Sequence, residues 1–500
     1  MTFPPRHLLH TTPLIFEQGS PGRTGASLPR LDVPERDPAA DWGRKLVRAT
    51  PAALPEVSEV EVTRHYTRLS RWNYAIDIGL YPLGSCTMKY NPKINEQAAR
   101  IPGFAALHPY QPEQTLQGAM ALMYALERAL CEITGMARAT LQPAAGAHGE
   151  LTGLMLIRAA HADRGRKPKK VLIPDSAHGT NPASCTLNGF DTVTLPTGAR
   201  GMLDVDTVRK HADADTAAIM ITNPSTLGLF EENIAAIAEV VHAAGGYVYM
   251  DGANLNALLG KFRPGDAGVD VMHINLHKTF TTPHGGGGPG AGPVAIAPSL
   301  EPYLPTPTVE KDGDRYRFAF DRPKSVGRLR SFYGNWGMFV RAYTYIREMG
   351  ADGLARATEM AVLNANYLRA LIADAYAPAY DRPCMHEVVV SDKRLKKETG
   401  VTTLDVAKRL IDHGFHPPTV YFPLIVPGAL MIEPTETETP ETLDAFAEAM
   451  LAIAAEAKTD PETVKTAPHA TGIRRLDETR AARQLKLRWT PTPAAPKTSE

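Results

Sequence analysis

The feature that most constrains this chain is a series of five short apolar segments between residues 171 and 277, separated by helical or turn-forming sequence. Near-continuous apolar runs of this length are typical of strands buried on both faces of a parallel sheet. A helical segment, IAAIAEVVHAAGG, lies between two of them and ends in glycines. The sequence therefore predicts an α/β fold with a mostly parallel, helix-covered sheet. The five segments are VLIPD (171–175), TVTLP (192–196), AAIMITNP (217–224), YVYMD (247–251) and DVMHINLH (270–277).

The chain has 500 residues, which is enough for two or three domains. Residues 1–60 are rich in proline and charge and predict an extended N-terminal arm. Residues 61–334 are expected to form the large domain. Strand-like and helical segments alternate after a long helical stretch, so residues 335–489 predict a linking helix and a smaller C-terminal α+β domain. Residues 490–500 predict a disordered tail.

Composition argues against several classes of function. The 54 Lys and Arg residues balance 54 Asp and Glu residues, and no run of the chain is strongly basic, which argues against a nucleic-acid partner. No segment is apolar for long enough to predict a membrane span. The four cysteines are widely spaced and form no CxxC pair, so we expect a reducing compartment and a cytoplasmic protein.

Motifs that suit a bound ligand follow the predicted strands, at the sheet edge where open α/β sheets bind ligands. The segment QPAAGAHGELTG begins with small residues and runs into a helix, so the amides near Gly146, Ala147 and His148 can face a phosphate. A glycine turn that starts a helix explains this motif equally well. His178 follows VLIPD, where an imidazole could stack on a planar ring or cap a turn.

Two charged residues follow the next strands. Asp251 ends a buried apolar run, where a carboxylate needs a partner such as a pyridinium nitrogen, although Asp also ends strands as an N-cap. Lys278 precedes several glycines and could form a Schiff base, although most lysines are solvated. His273, His277 and His284 could suggest a metal site. Strand residues four apart are about 13 Å apart and no carboxylate completes a ligand set, so we expect no metal.

The order of these motifs resembles the fold type I family of pyridoxal-phosphate enzymes. Longer segments resemble one branch of that family, the P-proteins of the glycine cleavage system, in the form of the second subunit of two-chain glycine dehydrogenase (decarboxylating). These segments extend over nearly the whole chain beyond the arm. They are RHYTRLSRWNYAIDIGLYPLGSCTMKYNPK (64–93), QPAAGAHGELTG (142–153), DSAHGTNPAS (175–184), MDGANLNA (250–257), NLHKTF (275–280), GRLRSFYGNWG (327–337), CMHEVVVS (384–391) and MIEPTETE (431–438).

The resemblance implies a role for individual residues. Lys278 is implied to bind pyridoxal 5'-phosphate covalently as a Schiff base, Asp251 to pair with the pyridinium nitrogen and His178 to stack on the ring. These three are the implied catalytic residues. The implied cofactor-binding set also contains Ala145, Gly146, Ala147, Asn223 and His277, with Asn223 reaching the phenolic oxygen of the cofactor.

The resemblance also implies a reaction and its partners. The implied reaction is decarboxylation of glycine, with transfer of the remaining aminomethyl group to the lipoyl arm of H-protein. The implied partners are a first subunit, with two copies of each chain, and lipoylated H-protein. The loops at 81–92 and 285–290 (GGGGPG) are expected to line a tunnel for the lipoyl arm.

Three alternatives stay open. A cysteine desulfurase would need a mobile thiol, and Cys384 instead adjoins HEVVVS, which predicts a buried strand. An aminotransferase would need an arginine for a second substrate carboxylate, for which Arg328 and Arg330 are candidates. A catalytically silent scaffold subunit is the third alternative, and the presence of Lys278 and Asp251 argues against it.

Overall fold

The structure is a computed structural model that describes residues 12–50, 52–284 and 290–490. The chain divides into two units, one of Met1–Ala75 with Pro468–Glu500 and one of Ile76–Ala467. The helices are α1 (Pro38–Trp42), α2 (Glu59–Ser70), α3 (Lys93–Ala99), α4 (Pro102–Ala105), α5 (Gln117–Thr134), α6 (Gly146–Asp163), α7 (Thr180–Leu187), α8 (Val205–His211), α9 (Ile234–Ala243), α10 (Leu276–Thr279), α11 (Trp336–Ile372), α12 (Lys393–Thr399), α13 (Thr403–Asp412), α14 (Pro440–Thr459), α15 (Pro461–Thr466) and α16 (Glu478–Arg483).

The strands of the described residues belong to three sheets and are also numbered along the chain. They are β1 (Arg138–Thr140), β2 (Lys170–Pro174), β3 (Asp191–Leu195), β4 (Thr216–Thr222), β5 (Tyr247–Gly252), β6 (Val271–Ile274), β7 (Val294–Ile296), β8 (Thr308–Asp312), β9 (Arg315–Ala319), β10 (Ala377–Pro378), β11 (Val388–Ser391), β12 (Thr419–Val420) and β13 (Ala429–Ile432). Within the described residues, every helix is too short or too polar to cross a lipid bilayer.

Among its described residues, the unit of Met1–Ala75 with Pro468–Glu500 has little regular structure. Helix α2 begins with a capping box, in which Ser58 Oγ accepts a hydrogen bond from Glu61 N at 3.3 Å and the Glu61 carboxylate accepts one from Ser58 N at 2.8 Å. Phe16 stacks on Trp489 with ring centroids 5.2 Å apart. The boundary of the arm at residue 60 stays a prediction, and residues 491–500 of the expected tail lie outside the described residues.

A seven-stranded sheet in the order β1, β7, β6, β5, β4, β2, β3 forms the centre of the unit Ile76–Ala467. Strands β6, β5, β4, β2 and β3 run parallel, whereas β7 and β1 pair antiparallel at one edge. The predicted parallel sheet is confirmed. The sequence does not predict β1 and β7 because each has only three residues.

Helices cover both faces of this sheet. Along β5, Val248 and Met250 face a core that includes side chains of α5, α9 and α11. Tyr247 and Tyr249 face the opposite core, which includes side chains of α6 and α7. Because both faces of the sheet are buried, the sequences of its strands are nearly continuous apolar runs.

A second sheet lies in the C-terminal part of this unit, in the antiparallel order β10, β11, β13, β12. Helices α12 to α15 and the end of α11 contribute to its core. The long helix predicted between residues 335 and 376 is confirmed, with a break at Gly350, whose φ of 62° is non-helical. The strands predicted at HEVVVS and ALMIEPT are also confirmed. The domain boundary between residues 334 and 335 stays a prediction.

Candidate active site

A cavity of about 210 Å³ lies at the carboxyl edge of the large sheet. Strands β2, β4, β5 and β6 are parallel, so their carboxyl ends meet at this edge. The predicted site residues that line the cavity are Lys278, Asp251, His178, His277, Gly146 and Ala147. Its other lining residues are Ser85, Glu150, Thr180, Thr222, Thr226, Ala253, Asn254, His273 and Asn275.

Asp251 lies near the end of β5 with its carboxylate buried. Oδ1 accepts a hydrogen bond from Ala253 N at 3.0 Å, and Oδ2 accepts one from Asn181 Nδ2 at 3.1 Å. His273 Nε2 lies 3.1 Å from Oδ1. Burial alone would raise the pKa of Asp251, but His273 and the two hydrogen bonds hold that pKa well below its usual range. The carboxylate therefore stays ionised and can pair with a cationic ligand group.

His273 lines the cavity beside Asp251, and the sequence suggests no role for it beyond a possible metal site. It lies in β6 beside Asp251 in the parallel ladder, and its Nδ1 lies 2.9 Å from the hydroxyl of Tyr249. Burial acts to lower the pKa of His273, but Asp251 raises it above the usual value. The expectation that no carboxylate completes a ligand set with these histidines is wrong for His273, because strand pairing and α6 bring Asp251 and Glu150 next to it.

The N-terminus of α6 faces the cavity. Ala145 is its extended N-cap residue and makes no side-chain cap. The first N–H groups of a helix have no partner within the helix, so those of Gly146 and Ala147 are available to an anion at the cavity wall. A Cβ on Gly146 would lie 2.5 Å from Asn275 Oδ1, which explains why glycine begins this helix.

Two further glycines bring α6 close to the sheet. A Cβ on Gly149 would lie 2.8 Å from His273 Cβ, and one on Gly153 would lie 2.4 Å from Tyr249 Cε2. Both positions face β5 and β6. The glycines in GAHGELTG therefore serve close packing of the helix against the strands that carry Asp251 and His273.

Lys278 lies in the short helix α10, directly after β6, and only 9% of the residue is exposed to solvent. His277 and His284 lie nearby, with ring centroids 5.2 Å apart. Burial, together with the charge of Lys278, lowers the pKa of His277 to about 3 and that of His284 to about 4. Both imidazoles are therefore neutral beside the lysine.

His178 is exposed at the cavity wall. Its Nδ1 accepts a hydrogen bond from Thr180 N at 3.3 Å, and the ring makes an edge contact with Phe422 at a centroid distance of 5.7 Å. The hydroxyl of Thr180 donates to Glu150 Oε1 at 2.7 Å. The position of the imidazole is thus coupled to the buried carboxylate of Glu150.

Ala145 and Asn223 are the two predicted site residues outside the cavity lining. The backbone carbonyl of Ala145 begins the hydrogen bonding of α6, because it accepts a hydrogen bond from Gly149 N at 2.9 Å. Asn223 Oδ1 accepts a hydrogen bond from Glu231 N at 3.0 Å, while Thr222, the preceding residue, lines the cavity. The amide of Asn223 thus binds the backbone of Glu231, and its contact with a cofactor oxygen stays a prediction.

The donor set around the cavity fits pyridoxal phosphate. The helix N-terminus suits a phosphate, the ionised Asp251 suits a protonated ring nitrogen, and Lys278 supplies a primary amine. Thr222 Oγ1 and Asn275 Oδ1 are buried at this cavity and have no hydrogen-bond partner within the described part of the chain. Unpaired buried polar atoms at a cavity wall indicate a polar ligand.

A second group of buried residues, which the sequence does not predict, consists of His386, Glu387 and Glu433. One imidazole nitrogen and one carboxylate oxygen of each glutamate lie within 4.8 Å of one another. The signal that could have found them is a charged residue directly beside an apolar strand, in HEVVVS and in ALMIEPT. Such a residue is buried with the strand and needs a partner.

Comparison with known proteins agrees with this geometry. Residues 357–470 match the family model for the C-terminal domain of glycine dehydrogenase. The chain is 60% identical over 484 residues to the probable glycine dehydrogenase (decarboxylating) subunit 2 of Listeria innocua serovar 6a, covering 97% of this chain and 99% of the relative. The chain belongs to the glycine dehydrogenase (decarboxylating) subunit 2 family. A relative of the same name from Bacillus licheniformis is 60% identical over 477 residues, or 95% of this chain and 98% of the relative.

Solved structures show the fold of this glycine dehydrogenase subunit 2 family member. The crystal structure of a glycine decarboxylase (P-protein) of the glycine cleavage system in inhibitor-bound form matches with a TM-score of 0.69 at 21% identity, covering 82% of this chain and 93% of that one. A NifS-like protein matches with a TM-score of 0.59 at 15% identity, covering 75% and 99%. The predicted fold type I architecture is therefore confirmed.

Proposed function

We propose that this chain is the pyridoxal-phosphate-bearing subunit of a glycine dehydrogenase (decarboxylating). It removes the carboxylate of glycine as carbon dioxide and passes the remaining aminomethyl group to the lipoyl arm of H-protein. The observation that carries this proposal is that Lys278, Asp251 and the N-terminus of α6 meet at one cavity, in a chain 60% identical over nearly its full length to relatives of that name.

The residues around the cavity suggest how the cofactor is bound. Lys278 Nζ would bind its aldehyde carbon, the carboxylate of Asp251 its ring nitrogen, and the N–H groups of Gly146 and Ala147 its phosphate. His178 would contact the ring. When bound, the cofactor supplies an electron sink for the electron pair released as glycine loses its carboxylate.

Asp251 acts by holding a proton on the ring nitrogen. Its carboxylate is ionised at every working pH, since its pKa is depressed, and a buried anion strongly favours a protonated partner. His273 and Asn181 fix the two carboxylate oxygens of Asp251 by contacts of 3.1 Å each. These contacts hold the carboxylate in a fixed position, which is the arrangement that electrostatic stabilisation requires.

We also propose for this chain the partners and the location expected from the sequence. The partners are a first subunit, with two copies of each chain, and lipoylated H-protein, and the location is the cytoplasm. The names of the relatives, which specify subunit 2, support a first subunit. Of the loops expected to line the lipoyl tunnel, 81–92 contributes Ser85 to the cavity wall, and residues 285–289 of the second loop lie outside the described residues.

The alternative chemistries fit this site less well. Burial raises the pKa of the Cys384 thiol to about 12 and also raises the pKa of the Cys86 thiol, so neither resembles the reactive thiolate of a desulfurase. Arg330 donates a hydrogen bond to Asn335 Oδ1 at 2.7 Å. Within the described chain, neither Arg328 nor Arg330 lines the cavity, which disfavours an aminotransferase.

Exchange of labelled bicarbonate into the carboxyl group of glycine tests the proposal. We expect exchange when the chain is combined with its first subunit and lipoylated H-protein, and loss of exchange in Lys278→Ala. Lys261→Ala is the matched control, because Lys261 forms an ion pair with Glu359 and the side chains of both residues are nearly half exposed. Exchange that is absent in the complete system, or that survives Lys278→Ala, would refute the proposal.

A further inference from the structure

Two glutamates face each other at the edge of the small sheet. Val388 in β11 pairs with Ile432 in β13, so the adjoining positions place Glu387 opposite Glu433. Both side chains are fully buried. Like charges directly opposite each other destabilise a strand pair, and burial of two carboxylates adds a desolvation cost. The pair therefore needs a proton or a counter-charge.

The hydrogen bonds to this glutamate pair come from neutral donors. Ser85 N donates to Glu387 Oε2 at 3.0 Å, and Thr87 N donates to Glu433 Oε2 at 2.9 Å. Asn256 Nδ2 donates to Glu433 Oε1 at 3.3 Å. Glu387 Oε1 is buried and has no partner within the residues that the structure describes. These contacts bind the pair to the loop whose Ser85 lines the cavity, but they supply no charge.

The imidazole of His386 does not supply the charge either. Its Nε2 lies 3.9 Å from Glu387 Oε2 and 3.9 Å from Glu433 Oε1. Both ring nitrogens are buried without a hydrogen-bond partner in the described chain. Burial and, to a lesser extent, the charge of Lys278 lower the pKa of His386 to about 3. The imidazole ring beside the two glutamates is therefore neutral.

The other titratable groups around the pair are Lys89, Glu436, Cys86 and Lys278. Lys89 Nζ lies 2.6 Å from Glu436 Oε1, so those two charges balance each other. The Cys86 thiol is neutral because burial raises its pKa. Lys278 is the cation that lowers the pKa of both glutamates. Burial and the charge of Glu433 outweigh it at Glu387 and raise that pKa to about 8, and burial and the charge of Glu436 outweigh it at Glu433 and raise that pKa to about 7.

We propose that Glu387 and Glu433 share a proton near neutral pH and take up a further proton when Lys278 loses its positive charge. This inference rests on the proposed function in one respect, which is that the amine of Lys278 becomes uncharged during one step of the reaction. A proton leaves Nζ of Lys278, and a proton is added to a carboxylate oxygen of the pair. No electrons are transferred, and the net charge of the buried site is unchanged.

Reciprocity supports this coupling. Because the charge of Lys278 lowers the pKa of both carboxyls, loss of that charge must raise the pKa of both. The neutral amine is the nucleophilic form of lysine. The glutamate pair thus acts through Lys278 rather than on substrate, and its members are positioning residues.

Infrared spectroscopy of the full-length protein without cofactor tests the proposal. A protonated buried carboxyl group gives a carbonyl stretching band that a carboxylate lacks. We expect this band in wild type near neutral pH, its loss on raising the pH to about 9, and a larger band in Lys278→Met. Glu387→Gln and Glu433→Gln should each weaken the band, since an amide of the same shape cannot titrate, and Lys261→Met should leave it unchanged.

Several results would overturn the proposal. A wild-type spectrum without a carboxyl band that titrates near neutral pH would do so, even if the glutamine variants failed to fold. A band unaffected by Lys278→Met would remove the coupling. Addition of Zn²⁺ or Mn²⁺ that abolishes the band at one ion per chain, through Glu387 and Glu433, would show a metal site instead.

The outcome separates this inference from the proposed function. Failure of the infrared prediction would leave glycine exchange and covalent cofactor binding at Lys278 intact. Failure of the proposed function would leave the carboxyl band and its response to Lys278→Met in place. The pH dependence of cofactor binding gives a second measurement. Wild type should show an inflection in this dependence near neutral pH, and the double variant Glu387→Gln with Glu433→Gln should lack it.

Discussion

Asp251 and His273 form the buried charge pair on which the site depends. Their side chains lie 3.1 Å apart at adjacent positions of β5 and β6, and each shifts the pKa of the other toward its charged form. Such a pair stabilises the fold only while both members are present, because an isolated buried charge is costly. A substitution of either residue therefore affects both chemistry and stability.

We expect Asp251→Asn to lower the rate of glycine–bicarbonate exchange by on the order of 100-fold or more, since a neutral amide cannot hold a proton on the ring nitrogen. It should also lower the free energy of unfolding by about 3 to 5 kcal/mol, because His273 loses its buried partner. Exchange assays and denaturant titrations measure the two effects. Asp206→Asn, at an exposed aspartate, is the control, and a wild-type exchange rate in Asp251→Asn would contradict the assigned role.

Helix α6 shows how a single element positions the site. Its glycines allow the helix to lie against β5 and β6, which brings its first N–H groups to the cavity that Asp251 also lines. The same helix carries Glu150, which binds Thr180 and Ser184 of α7. Packing and ligand binding therefore depend on the same few residues.

Gly153→Ala should lower the free energy of unfolding by about 1 to 3 kcal/mol, because its Cβ would lie 2.4 Å from Tyr249 and 2.7 Å from Val271. Gly118→Ala in α5 is the matched control, since a Cβ there meets nothing within 4 Å. This control should be stabilised by up to about 1 kcal/mol. Denaturant unfolding compares them, and equal effects would contradict the packing argument.

The sequence was most informative where a single segment determines its own structure. Strands β2, β4 and β5, the glycine motif of α6 and the strand-end residues Asp251 and Lys278 follow from local patterns. The contacts of Asn223 and the pairing of Glu387 with Glu433 do not, because they depend on segments that meet only in the folded chain. The three-residue strands β1 and β7 carry too few residues for a periodic signal.

The glutamate pair also predicts a pH dependence of the stability of the molecule. Both carboxyls have folded pKa values, about 8 and about 7, above the ordinary value of 4.5. The stability that they contribute is therefore fully present below pH 4.5 and is lost as the pH rises through 7 and 8.

We expect the free energy of unfolding of wild type without cofactor to fall between about pH 5 and 8, by up to about 1.4 kcal/mol per pH unit for each proton involved. The double variant Glu387→Gln with Glu433→Gln should show a flatter profile. Urea titrations at several pH values give the comparison. Parallel profiles for wild type and the double variant would contradict the raised pKa values.

We propose that this chain binds pyridoxal phosphate covalently through Lys278. Borohydride reduction of the purified holoprotein, followed by proteolysis and mass spectrometry, tests it most directly, because reduction fixes the cofactor to the residue that binds it. We expect a single pyridoxyl-modified peptide that contains Lys278. A modification at another lysine, or no modified peptide from a protein with the visible absorbance of the cofactor, would contradict it.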